Sequence, residues 1–244
     1  MRAATTLVRF VVYWDIDGTL LTTARAGVPA LEDAAETVVG RRPDLTAMRT
    51  AGMTDPMIAE AVLQAMGHPG DPASCDLFLD AYTAALPYRL RQKRGQVLPG
   101  ILDALTYLAA RQDVANVLLT GNMRSGAEAK LQSYGLAAFF ATGGFGDDGS
   151  DRSDIARVAI GRATECYGRA AGSGVLVGDT PYDIAAGRTV GLRVLALASP
   201  SHDRRELEAL EPWWVTDRMP PGAELLEKMA QETPTPVGRT SRGS

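Results

Sequence analysis

Lysine, histidine and cysteine are scarce in this chain of 244 residues. Three of the 25 basic residues are lysines (Lys93, Lys130, Lys228), and there are two histidines and two cysteines. Cys75 and Cys166 lie far apart with no metal-ligand spacing, which argues against a disulfide scaffold or a thiolate metal centre. A reducing cytoplasm is the compartment expected for such a chain. Aromatics make up 6% of the residues. No apolar run approaches the ~20 residues that a membrane-spanning helix needs. The run Leu7–Trp14 is short, is interrupted by Arg9, and is followed by no small-residue cleavage site, so neither membrane nor export is expected. There is also no excess of positive charge: the net charge of −4 and pI near 5.3 argue against a nucleic-acid coat. The arginine-for-lysine skew reads as genome composition.

What is present is a core-forming composition, 45% hydrophobic and 22% charged. The length suits one large domain or one domain with an insert. The run Leu7–Trp14, rich in β-branched and aromatic residues, predicts a buried strand that ends at Asp15. Further strands are expected at 115–119, 138–141, 175–177 and 192–197. Helical spacing fills the gaps at 101–111, 123–134, 154–167 and 182–189. Strands alternating with helices predict βαβ units, a Rossmann-like parallel sheet with helices on both faces, and hence an α/β fold. Residues 22–96 break the rhythm. They show helical patterns at 28–39, 56–66 and 75–86 and no convincing strand. Thr54 or Asp55 can cap the second of these, and Pro56 fits its first turn. We read 1–21 and 97–231 as the α/β core, 22–96 as an inserted helical domain, and 232–244, with almost nothing to bury, as a disordered tail.

Three motifs follow three predicted strands, at the end of the sheet where an open α/β fold forms its ligand crevice. The first is Asp15-Ile16-Asp17-Gly18-Thr19-Leu20. Two carboxylates this close, just off a buried strand, need a cation to offset their repulsion, and Mg2+ with its preference for oxygen ligands is suitable. A turn cluster is the plainer reading. The second is Leu118-Leu119-Thr120-Gly121-Asn122, where a hydroxyl and free backbone N–H groups at a strand-to-helix junction suit a phosphate oxygen or serve only as an N-cap. The third is Gly178-Asp179-Thr180-Pro181-Tyr182-Asp183. Asp179 can complete a metal site. Asp183 reads equally as part of a capping box or as support for that site.

In this order and spacing the motifs resemble the haloacid dehalogenase (HAD) superfamily, and the helical insert resembles the cap of its phosphoglycolate-phosphatase-like branch. The resemblance spans roughly residues 7–200. It implies a magnesium-dependent phosphatase acting on a small phosphorylated metabolite. Asp15 would be the nucleophile that forms an aspartyl-phosphate, and Asp17 the acid and then the base. Mg2+ would be held by the Asp15 carboxylate, the Asp17 backbone carbonyl and the Asp179 carboxylate. Thr120, Gly121 and Asn122 would bind the phosphoryl oxygens. An acid at Asp17 favours phosphate over halide chemistry, since halide needs no leaving-group proton. A phosphosugar mutase of the same fold is the nearest alternative, and a non-catalytic binding protein retaining the fold is the alternative from another class.

The family also needs a cation beside the phosphate. Where a Lys-Pro pair is common, this chain has Asp151-Arg152-Ser153, and the Arg152 guanidinium can grip a phosphate or carboxylate bidentately. Lys130 is the rival. It lies two turns into the helix after Thr120, roughly 10 Å from the crevice at 1.5 Å per residue, and a surface salt bridge is its expected role. The basic run Arg89–Arg94 reads as a solvated hinge face or a greeting for an anionic substrate. Gly52-Met53-Thr54-Asp55 reads as a helix cap or a substrate-touching loop. His68 and His202 are expected at the surface, and Trp213-Trp214-Val215 as a late edge strand. Oligomeric state leaves no mark in the sequence.

Overall fold

The computed structural model describes residues 7–231. The expected tail from 232 lies outside the described residues. The chain runs from β1 (Phe10–Trp14) and β2 (Leu21–Thr22) into α1 (Gly27–Val39), α2 (Asp55–Ala65) and α3 (Pro72–Gln92). It returns through β3 (Gln96–Val97) to α4 (Ile101–Ala109), β4 (Val114–Leu119), α5 (Arg124–Ser133) and β5 (Gly143–Gly144). Then come α6 (Arg152–Tyr167), β6 (Val175–Gly178), α7 (Pro181–Val190) and β7 (Arg193–Leu197). The last elements are α8 (Arg204–Glu208), β8 (Trp214–Thr216) and α9 (Gly222–Gln231).

Six strands form one parallel sheet in the order β5-β4-β1-β6-β7-β8. β1 starts at Phe10 rather than Leu7 because its ladder begins where β4 can pair, Phe10 against Val114. Its side chains then alternate between two cores, as the period of a strand requires. Val12 and Trp14 pack with α4, α5 and α9, while Val11 and Tyr13 pack with α6 and α7. The polar tips inside are satisfied: the Trp14 indole donates to Asn116 Oδ1 at 3.0 Å, and the Tyr13 hydroxyl to the Ala171 carbonyl at 2.9 Å. The chain leaves β1 toward β4 but leaves β6 toward β7, on the other side. The sheet therefore changes direction between β1 and β6, which opens a crevice at their carboxyl ends.

Two expectations shift. The strand expected at 138–141 is a 3-10 turn, Ala137–Phe139, and Phe139 and the following Phe140 pack on the core. The edge strand is Gly143–Gly144 instead, and a Cβ on Gly143 would meet Leu118 Cβ at 2.5 Å. Glycine has low strand propensity, so a strand chosen for close approach is silent in a propensity reading. Between the first strand and β4, two short strands are present after all: β2 and β3 pair antiparallel, so the helical segment departs and returns side by side. The late edge strand is found one residue on, as β8 beside β7.

The helices between β2 and β3 bury a core of their own, which includes Leu31, Leu63, Phe78, Tyr82 and Leu86. Thr54 caps α2, accepting from the Met57 N–H at 3.3 Å, and Asp71 caps α3 just before Pro72. Arg89, the first residue of the basic run, forks onto Asp33 of α1 with two contacts of 2.7 Å. It is a tie between helices, and its charge with that of Arg42 holds the Asp33 carboxyl below its usual range. Phe78 is fully buried at the centre of this segment. Phe78→Ala should lower unfolding free energy by about 3–5 kcal/mol, read from urea denaturation; a loss below 1 kcal/mol would mean that this core is not packed as described.

Candidate active site

The crevice gathers residues from three strand ends. β1 hands the chain to Asp15, whose N–H bonds the Val177 carbonyl of β6 at 3.0 Å. The Ile16 carbonyl then accepts from Thr19, Leu20 and Leu21, which winds the motif into a tight loop. Gly18 sits there at φ +83°, and a Cβ would lie 2.3 Å from Asp179 Oδ2, so the loop is glycine for both backbone and space. Asp179 follows β6, and Thr19 Oγ1 donates to its Oδ1 at 3.2 Å.

Asp15, Asp179 and Asp183 each bring a carboxylate oxygen within 4.8 Å of the others, and all three are buried. Asp183 closes a helix cap and also stands in the acidic cluster. Its Oδ2 accepts from the Thr180 N–H at 3.0 Å and hydroxyl at 2.7 Å, closing the capping box of α7, while its Oδ1 faces the acidic cluster. Arg152, at the start of α6, is buried between them, with Nη2 2.6 Å from Asp15 Oδ1 and 2.6 Å from Asp183 Oδ1. These ion pairs lie off the N–H directions, so Nε and Nη2 have no hydrogen-bond acceptor among the described residues.

Burial first, then the charges of Asp15 and Asp183, push the Asp179 carboxyl up to about 8. Burial likewise raises Asp15 to about 6, although the Arg152 charge opposes it. Three buried acids face one guanidinium here. An all-oxygen donor set of this kind fits a hard divalent cation such as Mg2+.

Asp17 stands apart from that cluster. Its Oδ2 accepts from Lys130 Nζ at 2.5 Å and from Asn122 Nδ2 at 2.9 Å. Lys130 is therefore no surface residue. It is buried, and its ammonium also donates to Asn122 Oδ1. The distance argument failed because side chains on a helix lean toward its N-terminus, which brings the lysine stem back to the crevice. Burial opposes the Lys130 charge, yet Asp17 and Asp55 together hold its pKa above the ordinary lysine value.

Thr120 is fully buried. Its hydroxyl accepts from Asn122 Nδ2 at 2.8 Å and its N–H is used by the Gly144 carbonyl, whereas Gly121 and Asn122 line the cavity. The loop before α2 closes over them. Asp55 N donates to the Gly121 carbonyl and Asp55 Oδ2 accepts from the Met123 N–H, both at 2.8 Å. A Cβ on Gly121 would meet the Met53 carbonyl at 2.8 Å.

Helical segment and core thus share a cavity of about 980 Å3. Its far side carries residues absent from the motif reading: Arg25 and Arg49 from the helical segment, and Ser199 and Arg218 from the core. His202 lines the rim and pairs with Glu206 at 3.0 Å, while His68 is not among the lining residues. Exposed arginines outside any motif have no spacing that would single them out beforehand. Among the described residues no helix is long and apolar enough to cross a membrane.

The family model for haloacid dehalogenase-like hydrolases matches residues 12–188. Phosphoglycolate phosphatase of Synechococcus elongatus is 29% identical over 136 residues, a match spanning 56% of this chain and 60% of that protein. IndB of Dickeya dadantii, which carries a phosphatase name, is 25% identical over 213 residues, 85% of this chain and 89% of that one. Among solved structures, CbbY from Rhodobacter sphaeroides in complex with phosphate matches with a TM-score of 0.67 at 18% identity. That match covers 87% of this chain and 95% of the other, a likeness of fold.

The raised carboxyls set a pH dependence. Between the ordinary aspartate value and about 8, the folded protein keeps a proton on Asp179 that the unfolded chain has released, so stability falls as pH rises through that window. In a divalent-free buffer the melting temperature should be lower at pH 8 than at pH 5.5. Added Mg2+ should raise it more at pH 8, where it stabilises the ionised cluster. Equal shifts at both pH values would contradict the site.

Proposed function

The chain belongs to the haloacid dehalogenase-like hydrolase family, and we propose that it is a magnesium-dependent phosphatase that works through an aspartyl-phosphate on Asp15. The observation that carries this reading is the pairing of Asp15 with Arg152 inside the acidic cluster at the crevice. Mg2+ would be held by the carboxylates of Asp15 and Asp179 and the backbone carbonyl of Asp17, and when bound it neutralises charge on the phosphoryl oxygens.

The chain's own groups do the rest. Arg152 holds Asp15 Oδ1 in place and lines the cavity, where its charge would meet the phosphoryl group together with the backbone at Gly121 and Asn122. An Asp15 oxygen attacks phosphorus as the bond to the leaving oxygen breaks, and Asp17 passes that oxygen a proton. Asp17 then takes a proton from a water that attacks the aspartyl-phosphate, which frees inorganic phosphate and restores Asp15. Thr120 supports this indirectly, by holding Asn122 beside Asp17. The helical segment 22–96 serves as a cap that excludes bulk water and shapes the leaving-group side.

The substrate is a small phosphorylated metabolite. Arg49 and Arg218 line the cavity without an ion pair or hydrogen bond among the described residues, and Arg25 stands with them, its Nη2 donating to the Thr46 carbonyl. In a chain of net charge −4 this favours a leaving group that carries a second acidic function, as an organic-acid phosphate does. The name of the Synechococcus elongatus relative agrees with that class.

Two measurements test this. With Mg2+ present, Asp15→Asn should cut phosphate release from p-nitrophenyl phosphate by more than about 10³-fold; wild-type turnover would remove the nucleophile. Release of phosphate, rather than an isomerised phosphosugar, separates hydrolysis from the mutase reading. Arg49→Ala should raise KM for an organic-acid phosphate about tenfold and change KM for an uncharged alkyl phosphate far less; equal changes would refute the second-anion reading.

A further inference from the structure

Lys130 has no place in the reaction as written. It does not face the nucleophile, because Arg152 fills that position. Instead it reaches the other member of the carboxylate pair. Asp17 is the least enclosed of the site acids, with 43% of its side chain exposed. An aspartate on the cavity wall with no anchor would sample several rotamers, most of them useless for proton transfer. Here both anchors fall on one oxygen: Lys130 and Asn122 each donate to Oδ2, while Oδ1 has no hydrogen bond among the described residues, and Asp17 lines the cavity. One oxygen is held and the other is left to move a proton.

The ammonium is itself confined. It is buried, Asn122 Oδ1 accepts from it, and the charge of Asp55, docked from the helical segment, acts on it from the other side. A buried lysine placed only to join helices would need one acceptor and would not require a half-exposed acid on the cavity wall. Desolvating a charge in this way is costly unless every partner is set.

We propose that Lys130 is a positioning residue which, with Asn122, fixes the Asp17 carboxylate so that its free oxygen meets the leaving oxygen of the substrate. This rests on Asp17 being the acid and base of the reaction above, and the test separates the two. Two probes of similar size differ in their need for an acid: benzyl phosphate leaves as a poor alkoxide, p-nitrophenyl phosphate as a stable phenolate. For Lys130→Met, kcat/KM for benzyl phosphate should fall about 10²-fold, and that for p-nitrophenyl phosphate by less than about tenfold. Asp17→Asn should show the same leaving-group signature, and the double variant should be no slower than Asp17→Asn alone. Lys130→Arg, which keeps the charge, should recover part of the benzyl phosphate activity.

If Asp17→Asn shows the signature and Lys130→Met loses both substrates equally, or the two losses multiply, Lys130 is only structural and the proposal fails. If Asp17→Asn shows no leaving-group dependence, the role of Asp17 itself is wrong. Should Lys130→Met not fold, Lys130→Gln carries the same test, with the same signature expected and an even loss across both probes overturning it.

Discussion

Negative charge held out of water at the carboxyl end of a parallel sheet is the constraint on which the rest of this structure turns. Asp15, Asp179 and Asp183 are packed together in the dry crevice between β1 and β6, with Arg152 alone among them. Burial and mutual repulsion push Asp15 and Asp179 toward the neutral form, as their raised carboxyls record. Such a cluster is tolerable only with further positive charge. In the proposed function a divalent cation would supply that charge, so the feature that costs stability would also be the one that holds the ion.

Two cations divide the site. Arg152, planar and forked, faces Asp15 and the cap of α7. Lys130, a compact point charge on a flexible stem, reaches Asp17 from the second turn of α5. The helical segment completes the arrangement, since Asp55 binds the backbone at Gly121 and Met123. The loop 120–123, which lines the cavity, is thus also the platform on which the segment docks.

Much of this was legible beforehand. Asp15, Asp17, Asp179 and the loop 120–122 stand directly after apolar runs, and a buried parallel strand announces itself by such a run. Arg152 was found because it occupies a place in a familiar order of motifs. The edge strand Gly143–Gly144 was not found, because its glycines serve close approach and carry no propensity signal. Lys130 was misjudged through treating a helical rise as a distance between side-chain tips. Asp55 read as a capping residue. Thr54 fills that role, and the Asp55 carboxylate is turned to the core.

Local pattern alone determined the α/β class, the helical interruption after the first strand, and the three motifs, because strand period, turn chemistry and motif spacing act over a few residues. Tertiary structure decided which carboxylates share a cluster, which cation faces which acid, and which arginines rim the cavity. Those are distances between elements more than a hundred residues apart, as between Asp17 and Lys130. Charge interactions fall off over a few ångströms in space and are blind to sequence separation.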